Sequence, residues 1–168
     1  MKIKISNLKD GIHNFSFDEP IKNIGLEKPF IGNVLVDIEL NKIHNQIVLN
    51  AKLTLNTNFD CDRCNKNFNS ILNNEYKMVY LIGTKPEDSE SINLTYLSAE
   101  ADKIVLDNDL RDFALLTIPM KKLCKDDCKG LCPKCGKDLN NGDCGCSYEI
   151  IDDRWLPLKE LKNKLNNN

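Results

Sequence analysis

Residues 34–55 read VLVDIELNKIHNQIVLNAKLTL, and this stretch decides the fold class. Apolar residues occupy every second position over residues 34–40 and again over residues 47–55, with mostly polar residues between them. Such period-two alternation is typical of strands that bury one face and expose the other, as in an antiparallel sheet. The connection, residues 42–46, is short and largely polar, so the two runs are predicted to form a β-hairpin.

Shorter elements are predicted on both sides of this hairpin. The further strands are expected at residues 1–6, 12–17, 76–82, 92–97 and 104–106. A helix is predicted at about residues 107–118, where Asp107 or Asn108 can cap its start and Pro119 ends it. A terminal amphipathic helix is indicated by the spacing of four apolar residues, Trp155, Leu158, Leu161 and Leu165.

Together these patterns predict an α+β protein of two parts. Residues 1–120 are expected to form an N-terminal antiparallel β-sheet or partial barrel with one packed helix. Residues 121–168 are expected to form a cysteine-rich module resembling a zinc ribbon, followed by the terminal helix. This second part has few large apolar residues between its cysteines, so a bound metal would have to organise it.

The chain has eight cysteines, and they fall into four close pairs. The pairs are Cys61/Cys64, Cys124/Cys128, Cys132/Cys135 and Cys144/Cys146. A closed structural zinc site takes four thiolates, so the sequence predicts one or two zinc ions. The residues that follow two of the pairs, Asn65 and Gly136, tolerate the left-handed conformation that turns backbone N–H groups toward a metal-bound sulfur.

The spacing favours one way of dividing the cysteines. Cys132, Cys135, Cys144 and Cys146 can close around one ion, because only eight residues separate the two pairs. Cys61, Cys64, Cys124 and Cys128 would then form a second site that ties a corner of the sheet to the segment after the helix. The alternative for Cys61 and Cys64 is a metal-free turn with two reduced thiols.

Three other uses of cysteine fit less well. Disulfides need an oxidising compartment, but residues 1–6 alternate charged and apolar residues and lack the apolar core of a signal peptide. The spacing from Cys128 through Cys132 to Cys135 matches the iron–sulfur motif of radical S-adenosylmethionine enzymes, but that motif opens a large barrel. Thiol–disulfide exchange needs a helix N-terminus at the CxxC pair, whereas strands are predicted to flank Cys61.

No catalytic constellation stands out in the sequence. The two histidines, His13 and His44, are distant from the cysteines and from each other, and no glycine-rich phosphate loop or nucleophile elbow is present. We therefore expect no enzymatic activity and no small-molecule substrate. Because no stretch approaches the roughly 20 apolar residues of a membrane span, we also expect no membrane contact. The expected location is the cytoplasm, or an organelle matrix if a targeting segment has been removed.

The charge of the chain limits how it could bind RNA. The formal net charge is −2, and two zinc–thiolate sites would lower it to about −6. RNA contact would therefore have to be local, or a protein would supply the docking surface. The candidate phosphate-binding residues are Lys121, Lys122, Lys125, Lys129, Lys134, Lys137 and Arg63. Acidic residues are interleaved with them, so these cations could also serve only to offset the thiolate charge.

The cysteine-rich part also supports a resemblance. The string from Leu123 to Asn140, LCKDDCKGLCPKCGKDLN, follows a helix that ends at Ile118-Pro119 and precedes Asp152-Asp153-Arg154-Trp155. With the alternating strands that run into Cys61-Asp62-Arg63-Cys64, this arrangement resembles the YceD family, whose members are named large ribosomal RNA subunit accumulation proteins. Asp153 stands where the family's string usually has proline.

The resemblance implies a role in accumulating large-subunit ribosomal RNA. It suggests a non-enzymatic assembly or stability factor that binds pre-ribosomal RNA or a ribosomal protein. The alternative is a zinc-stabilised protein–protein adaptor that makes no RNA contact. Salt-dependent RNA binding would separate these two hypotheses.

Overall fold

The computed structural model describes residues 1–84, 93–146 and 157–158. The predicted terminal helix, residues 155–165, lies outside the described residues apart from Pro157 and Leu158. The chain divides into two compact units, Met1–Asp126 and Asp127–Asn168.

Among the described residues, the first unit contains seven β-strands and one α-helix. The elements are β1 (Lys2–Lys4), β2 (Gly11–Pro20), β3 (Phe30–Ile43), β4 (Gln46–Asp60), β5 (Asn67–Ile82), β6 (Leu94–Leu97), β7 (Lys103–Val105) and α1 (Asp107–Leu116). A short 3₁₀ turn, Ile21–Ile24, follows β2. In the second unit, the described residues include one further 3₁₀ turn, Leu139–Asn141.

Five strands form the main sheet in the order β2-β3-β4-β5-β6. The predicted hairpin is confirmed as β3 and β4, which pair antiparallel with Ile38 opposite Ala51. Strands β2 to β5 are antiparallel neighbours, as expected. The antiparallel prediction is wrong for β6, which runs parallel to β5 with Leu94 opposite Val79. Alternation within a four-residue strand carries no information about its direction.

Strand β5 is longer than the sequence predicted. It begins at Asn67 rather than near Tyr76, and its first nine residues alternate between exposed and half-buried side chains. This stretch is rich in asparagine and lacks a fully buried face, so its hydrophobic pattern is weak. The backbone ladder with β4 forms it, since every residue from Asp60 back to Gln46 has a partner on β5.

The remaining two strands form a separate sheet. Strands β1 and β7 pair antiparallel, with Ile3 opposite Ile104, and both of these side chains are buried. The sequence predicted a strand near each position but gave no sign that they pair, because about a hundred residues separate them.

One face of the main sheet is buried and the other is exposed, as the alternation predicts. Buried side chains on β3 and β4 include Val34, Val36, Ile38, Leu40, Ile47, Leu49, Ala51, Leu53 and Leu55. The helix α1 packs Leu110 and Ala114 into the same core. The predicted side-chain cap at Asp107 or Asn108 is wrong: Leu106 occupies the cap position without a side-chain hydrogen bond. Acidic residues in the first helical turn instead lie favourably in the helix dipole.

Candidate metal centre

A tight turn between β4 and β5 carries the first cysteine pair. We call residues 61–66 the first knuckle. The Cys61 N–H donates to the Lys66 carbonyl oxygen (2.9 Å), and the Asn65 N–H donates to the Cys61 carbonyl oxygen (2.9 Å). Asn65 has φ +56°, which confirms the left-handed conformation predicted for it. The turn buries the side chains of Cys61 and Cys64.

A second turn with the same backbone pattern lies in the second unit. We call residues 132–137 the second knuckle. The Cys132 N–H donates to the Lys137 carbonyl oxygen, and the Gly136 N–H donates to the Cys132 carbonyl oxygen, both at 2.8 Å. Gly136 has φ +73°, again as predicted, and the Cys135 N–H donates to the Cys132 Sγ at 3.4 Å. Two distant CxxC segments therefore adopt the same sulfur-presenting turn.

The segment after α1 is bonded to the first knuckle. The Asp62 N–H donates to the Lys122 carbonyl oxygen (2.8 Å), and the Lys122 N–H donates to Asp62 Oδ2 (2.6 Å). This reciprocal pair holds Cys124 beside the knuckle, where its Sγ lies 3.7 Å from the Cys64 Sγ. The contact joins residues sixty positions apart.

The eight thiols gather into two groups of four, the same two sets that the spacing favoured. Within each group the Sγ atoms all lie within 4.8 Å of one another, and each group is geometrically able to hold a metal ion. The groups are Cys61, Cys64, Cys124 and Cys128, and Cys132, Cys135, Cys144 and Cys146. No disulfide joins any of the eight cysteines in the structure.

The two groups differ in burial. Three members of the first group, Cys61, Cys64 and Cys128, are buried, and Cys124 is half-buried. In the second group only Cys132 is buried, Cys144 and Cys146 are half-buried, and Cys135 is exposed. The second group is therefore the more accessible to water and solutes.

The groups also differ in how easily their thiols ionise. Burial raises the pKa of the Cys61 thiol, but hydrogen bonds from the backbone of Cys124, Cys64 and Arg63 outweigh burial and lower the pKa to about 6. In the second group, hydrogen bonds of the Cys146 thiol with the Cys144 and Cys135 sulfurs raise its pKa to about 12. Neighbouring thiols resist ionising together unless a cation compensates their charge.

Asn140 is a polar residue of the second unit that the sequence analysis missed. Its Nδ2 lies 3.5 Å from the Cys128 Sγ, and its Oδ1 accepts a hydrogen bond from the Lys129 N–H (2.9 Å). The side chain of Asp138 orients it by accepting hydrogen bonds from its N–H and its Nδ2. A side-chain amide that donates to a sulfur helps to orient that sulfur as a metal ligand. No sequence signal singles this asparagine out from its neighbours.

Neither histidine belongs to a thiol group. The His13 Nε2 lies 2.9 Å from the Lys9 carbonyl oxygen, and the His44 Nδ1 lies 3.5 Å from Asp10 Oδ2. His13 lies on β2, and His44 lies in the turn between β3 and β4.

The structure places the predicted basic residues in both units. Arg63, Lys121, Lys122 and Lys125 lie on or next to the first knuckle, and Lys129, Lys134 and Lys137 belong to the second unit. Among their contacts, the Lys122 Nζ lies 3.7 Å from Asp62 Oδ1, and the Lys137 Nζ donates to the Asp143 carbonyl oxygen at 2.9 Å. Lys66, exposed at the end of the first knuckle, was missed because it lies outside the cysteine-rich segment.

The described part of the chain thus has a β-sheet, a packed helix and two four-cysteine groups, each of which includes a CxxC turn. The family described as large ribosomal RNA subunit accumulation protein YceD matches residues 49–162, which is more than half of the chain. The chain therefore belongs to the YceD family. The matched region includes β4 from residue 49 onward, β5, α1 and all eight cysteines.

Curated relatives match a shorter region. A chloroplastic YCED homolog 1 of Arabidopsis thaliana, named as a large ribosomal RNA subunit accumulation protein, is 35% identical over 66 residues, which cover 39% of this chain and 21% of that protein. Uncharacterised proteins of Mycobacterium bovis and Mycobacterium tuberculosis are 38% identical over 60 residues, or 36% of this chain and 28% of theirs. The alignments span less than a third of any of these relatives. No solved structure gives a significant match.

The family name associates its members with accumulation of large-subunit ribosomal RNA. Among the described helices, none is long and apolar enough to cross a membrane.

Proposed function

We propose that this protein is a non-enzymatic, zinc-stabilised factor in large ribosomal subunit biogenesis, which supports ribosomal RNA accumulation by binding pre-ribosomal RNA at the first knuckle. The observation that carries the role is the family match over residues 49–162. The observation that supports the place of contact is the cluster of cations on the first knuckle and on the segment bonded to it.

Zinc fits both groups of thiols. A tetrahedral ion with Zn–S bonds of about 2.3 Å sets neighbouring sulfurs about 3.8 Å apart. The Cys64 and Cys124 sulfurs are 3.7 Å apart, and the sulfurs of each group all lie within 4.8 Å of one another. An all-thiol donor set favours zinc over magnesium or calcium, which prefer oxygen ligands.

A structural role for the metal follows from the number of ligands. Four cysteines fill a tetrahedral zinc ion and leave no position for a water or substrate. The residues of this chain would hold the metal, and the metal would fix the loops that carry the cations. We therefore infer that the zinc sites are structural and that the protein acts by binding.

The RNA contact is assigned to Arg63, Lys66, Lys121 and Lys125. All four are exposed, and the Asp62–Lys122 hydrogen bonds hold their two segments together. Cations on a metal-fixed turn lose little conformational freedom when they contact phosphates, and each contact displaces counterions from the RNA.

Fluorescence anisotropy with a labelled fragment of large-subunit ribosomal RNA tests this contact. The zinc-loaded chain is titrated at several salt concentrations, beside a knuckle variant in which three cations are neutralised: Arg63→Gln, Lys66→Gln and Lys121→Gln. The matched control neutralises three exposed lysines elsewhere in the first unit: Lys9→Gln, Lys22→Gln and Lys28→Gln.

The salt dependence gives a quantitative expectation. Each lost phosphate contact reduces the slope of log K against log salt by about 0.7 to 0.9, so the knuckle variant should lose about 2 in slope. The control should bind as the wild type does. Equal loss in both variants, or no loss in either, would contradict RNA binding at the knuckle.

Elemental analysis with thiol titration tests the metal. Two zinc ions per chain with all thiols protected would support both sites, and one zinc ion with about four reactive thiols would leave a single site. A purified, folded chain without metal would overturn the zinc part of the proposal.

A second candidate is the protein–protein adaptor without RNA contact. The observation that favours it is the net charge of −2, which a metal-loaded chain would make more negative. Absence of salt-dependent RNA binding would select this candidate.

A further inference from the structure

The exposed face of the main sheet carries carboxylates that the proposed RNA contact does not use. Val36 and Ile38 of β3 point into the core, so Asp37 and Glu39 point away from it. Asp18 of β2 lies on the same exposed face, because it alternates with the half-buried Phe17 and Glu19. All three carboxylates are exposed.

Strand register arranges this face in rows. Ser16, Asp37, Lys52 and Glu75 are opposite one another across four strands, and the next row is formed by Asn14, Glu39, Asn50 and Lys77. A shallow concavity of about 590 Å³ lies along these two rows. The sheet therefore offers a wide groove lined by charged and amide side chains.

Neutral donors hold the three carboxylates in place. Ser16 Oγ donates to Asp37 Oδ1 (2.7 Å), Asn33 Nδ2 donates to Asp18 Oδ1 (2.7 Å), and Asn50 Nδ2 donates to Glu39 Oε1 (3.4 Å). A hydrogen bond from a neutral group orients a carboxylate without cancelling its charge.

The two cations of these rows, Lys52 and Lys77, lie on β4 and β5, and the charge of Asp37 acts weakly on Lys52. The Lys52 Nζ lies 2.9 Å from Glu75 Oε1, and this hydrogen bond and charge raise the pKa of Lys52. The half of the face formed by β2 and β3 is therefore acidic. We call Asp18, Asp37 and Glu39 the acidic face.

We propose that the acidic face docks an extended protein segment with arginine or lysine at alternate positions. Asp37 and Glu39 are two residues apart on one strand, so their side chains are about 6.6 Å apart along it. Alternate side chains of an extended partner have the same spacing, which brings a cation opposite each carboxylate. The exposed Leu35 adjoins Asp18 in the register and can pack against the aliphatic part of a long basic side chain.

The acidic face is separate from the first knuckle. The row through Lys52 is eight residues from the end of β4 at Asp60, which is about 26 Å along the strand. Phosphate would be repelled by three carboxylates, so this surface suits a basic protein and not RNA. The inference extends the proposed function but does not depend on RNA binding at the knuckle.

The test uses a labelled synthetic peptide of twelve residues in which arginine and serine alternate. Its anisotropy is measured with the full zinc-loaded chain and with a face variant, Asp18→Asn, Asp37→Asn and Glu39→Gln. The matched control removes three exposed carboxylates elsewhere in the first unit: Glu27→Gln, Glu100→Gln and Asp112→Asn. A second peptide of the same composition, with six arginines followed by six serines, tests the spacing.

The face variant should bind the alternating peptide about tenfold more weakly than the wild type, while the control variant binds as the wild type does. The knuckle variant should also keep peptide binding, which separates this inference from the RNA proposal. If the face and control variants both bind the alternating peptide equally more weakly, the docking site is wrong. If the wild type binds the block peptide as tightly as the alternating peptide, the proposed alternate spacing is wrong. Loss of ribosomal RNA binding in the face variant alone would show that the face takes RNA and would refute the proposal.

Discussion

Replacing Cys61 and Cys64 together with alanine should lower the free energy of unfolding of the first unit by about 4 kcal/mol. The Cys64 and Cys124 sulfurs are 3.7 Å apart and sixty residues apart in sequence. A metal that binds both closes a loop of that length and removes conformations from the unfolded chain. For a covalent crosslink over about sixty residues, loop-closure entropy gives about 4 kcal/mol at 25 °C. Alanine is the replacement of choice at Cys61 and Cys64 because it places no new polar group in the core, which would lower the stability for a separate reason.

Urea unfolding followed by far-UV circular dichroism measures this effect, because the main sheet of the first unit dominates the described regular structure. Chelation should bring the wild type down to the stability of the double variant. Chelator should have no further effect on the sheet transition of the double variant, since its crosslink is already absent.

The control is the matching change in the second group, Cys144→Ala with Cys146→Ala. It should remove one zinc ion per chain and leave the urea midpoint of the sheet transition unchanged. Two results would refute the idea that metal crosslinks the first unit. One is a decrease of less than about 1 kcal/mol in the free energy of unfolding of the Cys61/Cys64 variant. The other is a wild-type sheet transition that chelator does not change.

Tyr76→Phe should raise the free energy of unfolding of the first unit by about 1 kcal/mol, because among the described residues its buried hydroxyl has no hydrogen-bond partner. Tyr80→Phe should lower it by about 1 kcal/mol, because it removes the 3.1 Å hydrogen bond from Tyr80 Oη to Asp109 Oδ2. Urea unfolding of the two variants measures both effects. Gly136→Ala should weaken zinc binding by the second group, measured by chelator competition, because a Cβ at φ +73° costs about 1 kcal/mol. As pH falls, zinc should leave the second group first, because protons compete best for thiols of high pKa: about 12 for Cys146 against about 6 for Cys61. A colorimetric zinc indicator would detect two release steps, and simultaneous release would contradict this order.

Local interactions explain why the sequence predicted both knuckles. Each turn is closed by bonds between residues four and five positions apart, and the residue that must be left-handed, Asn65 or Gly136, follows directly after the pair. Nothing distant is needed to form such a turn. The hairpin of β3 and β4 is similarly local, since its register follows from a two-residue turn and from alternating burial.

Distance and register explain what the sequence missed. The pairing of β1 with β7, the parallel direction of β6 and the role of Asn140 depend on contacts that hydrophobic periodicity does not encode. The predicted cap of α1 was wrong because several acids at the helix start compete for one position and tertiary packing placed the boundary at Leu106.

The sequence by itself determined the β3–β4 hairpin, the helix α1 and the local set of Cys132, Cys135, Cys144 and Cys146, because each depends on residue type and short-range spacing. Tertiary structure alone decided that Cys124 lies beside Cys64 and that Ser16, Asn33 and Asn50 hold the carboxylates of the acidic face. These contacts join residues 11 to 60 positions apart, and strand register brings their side chains together.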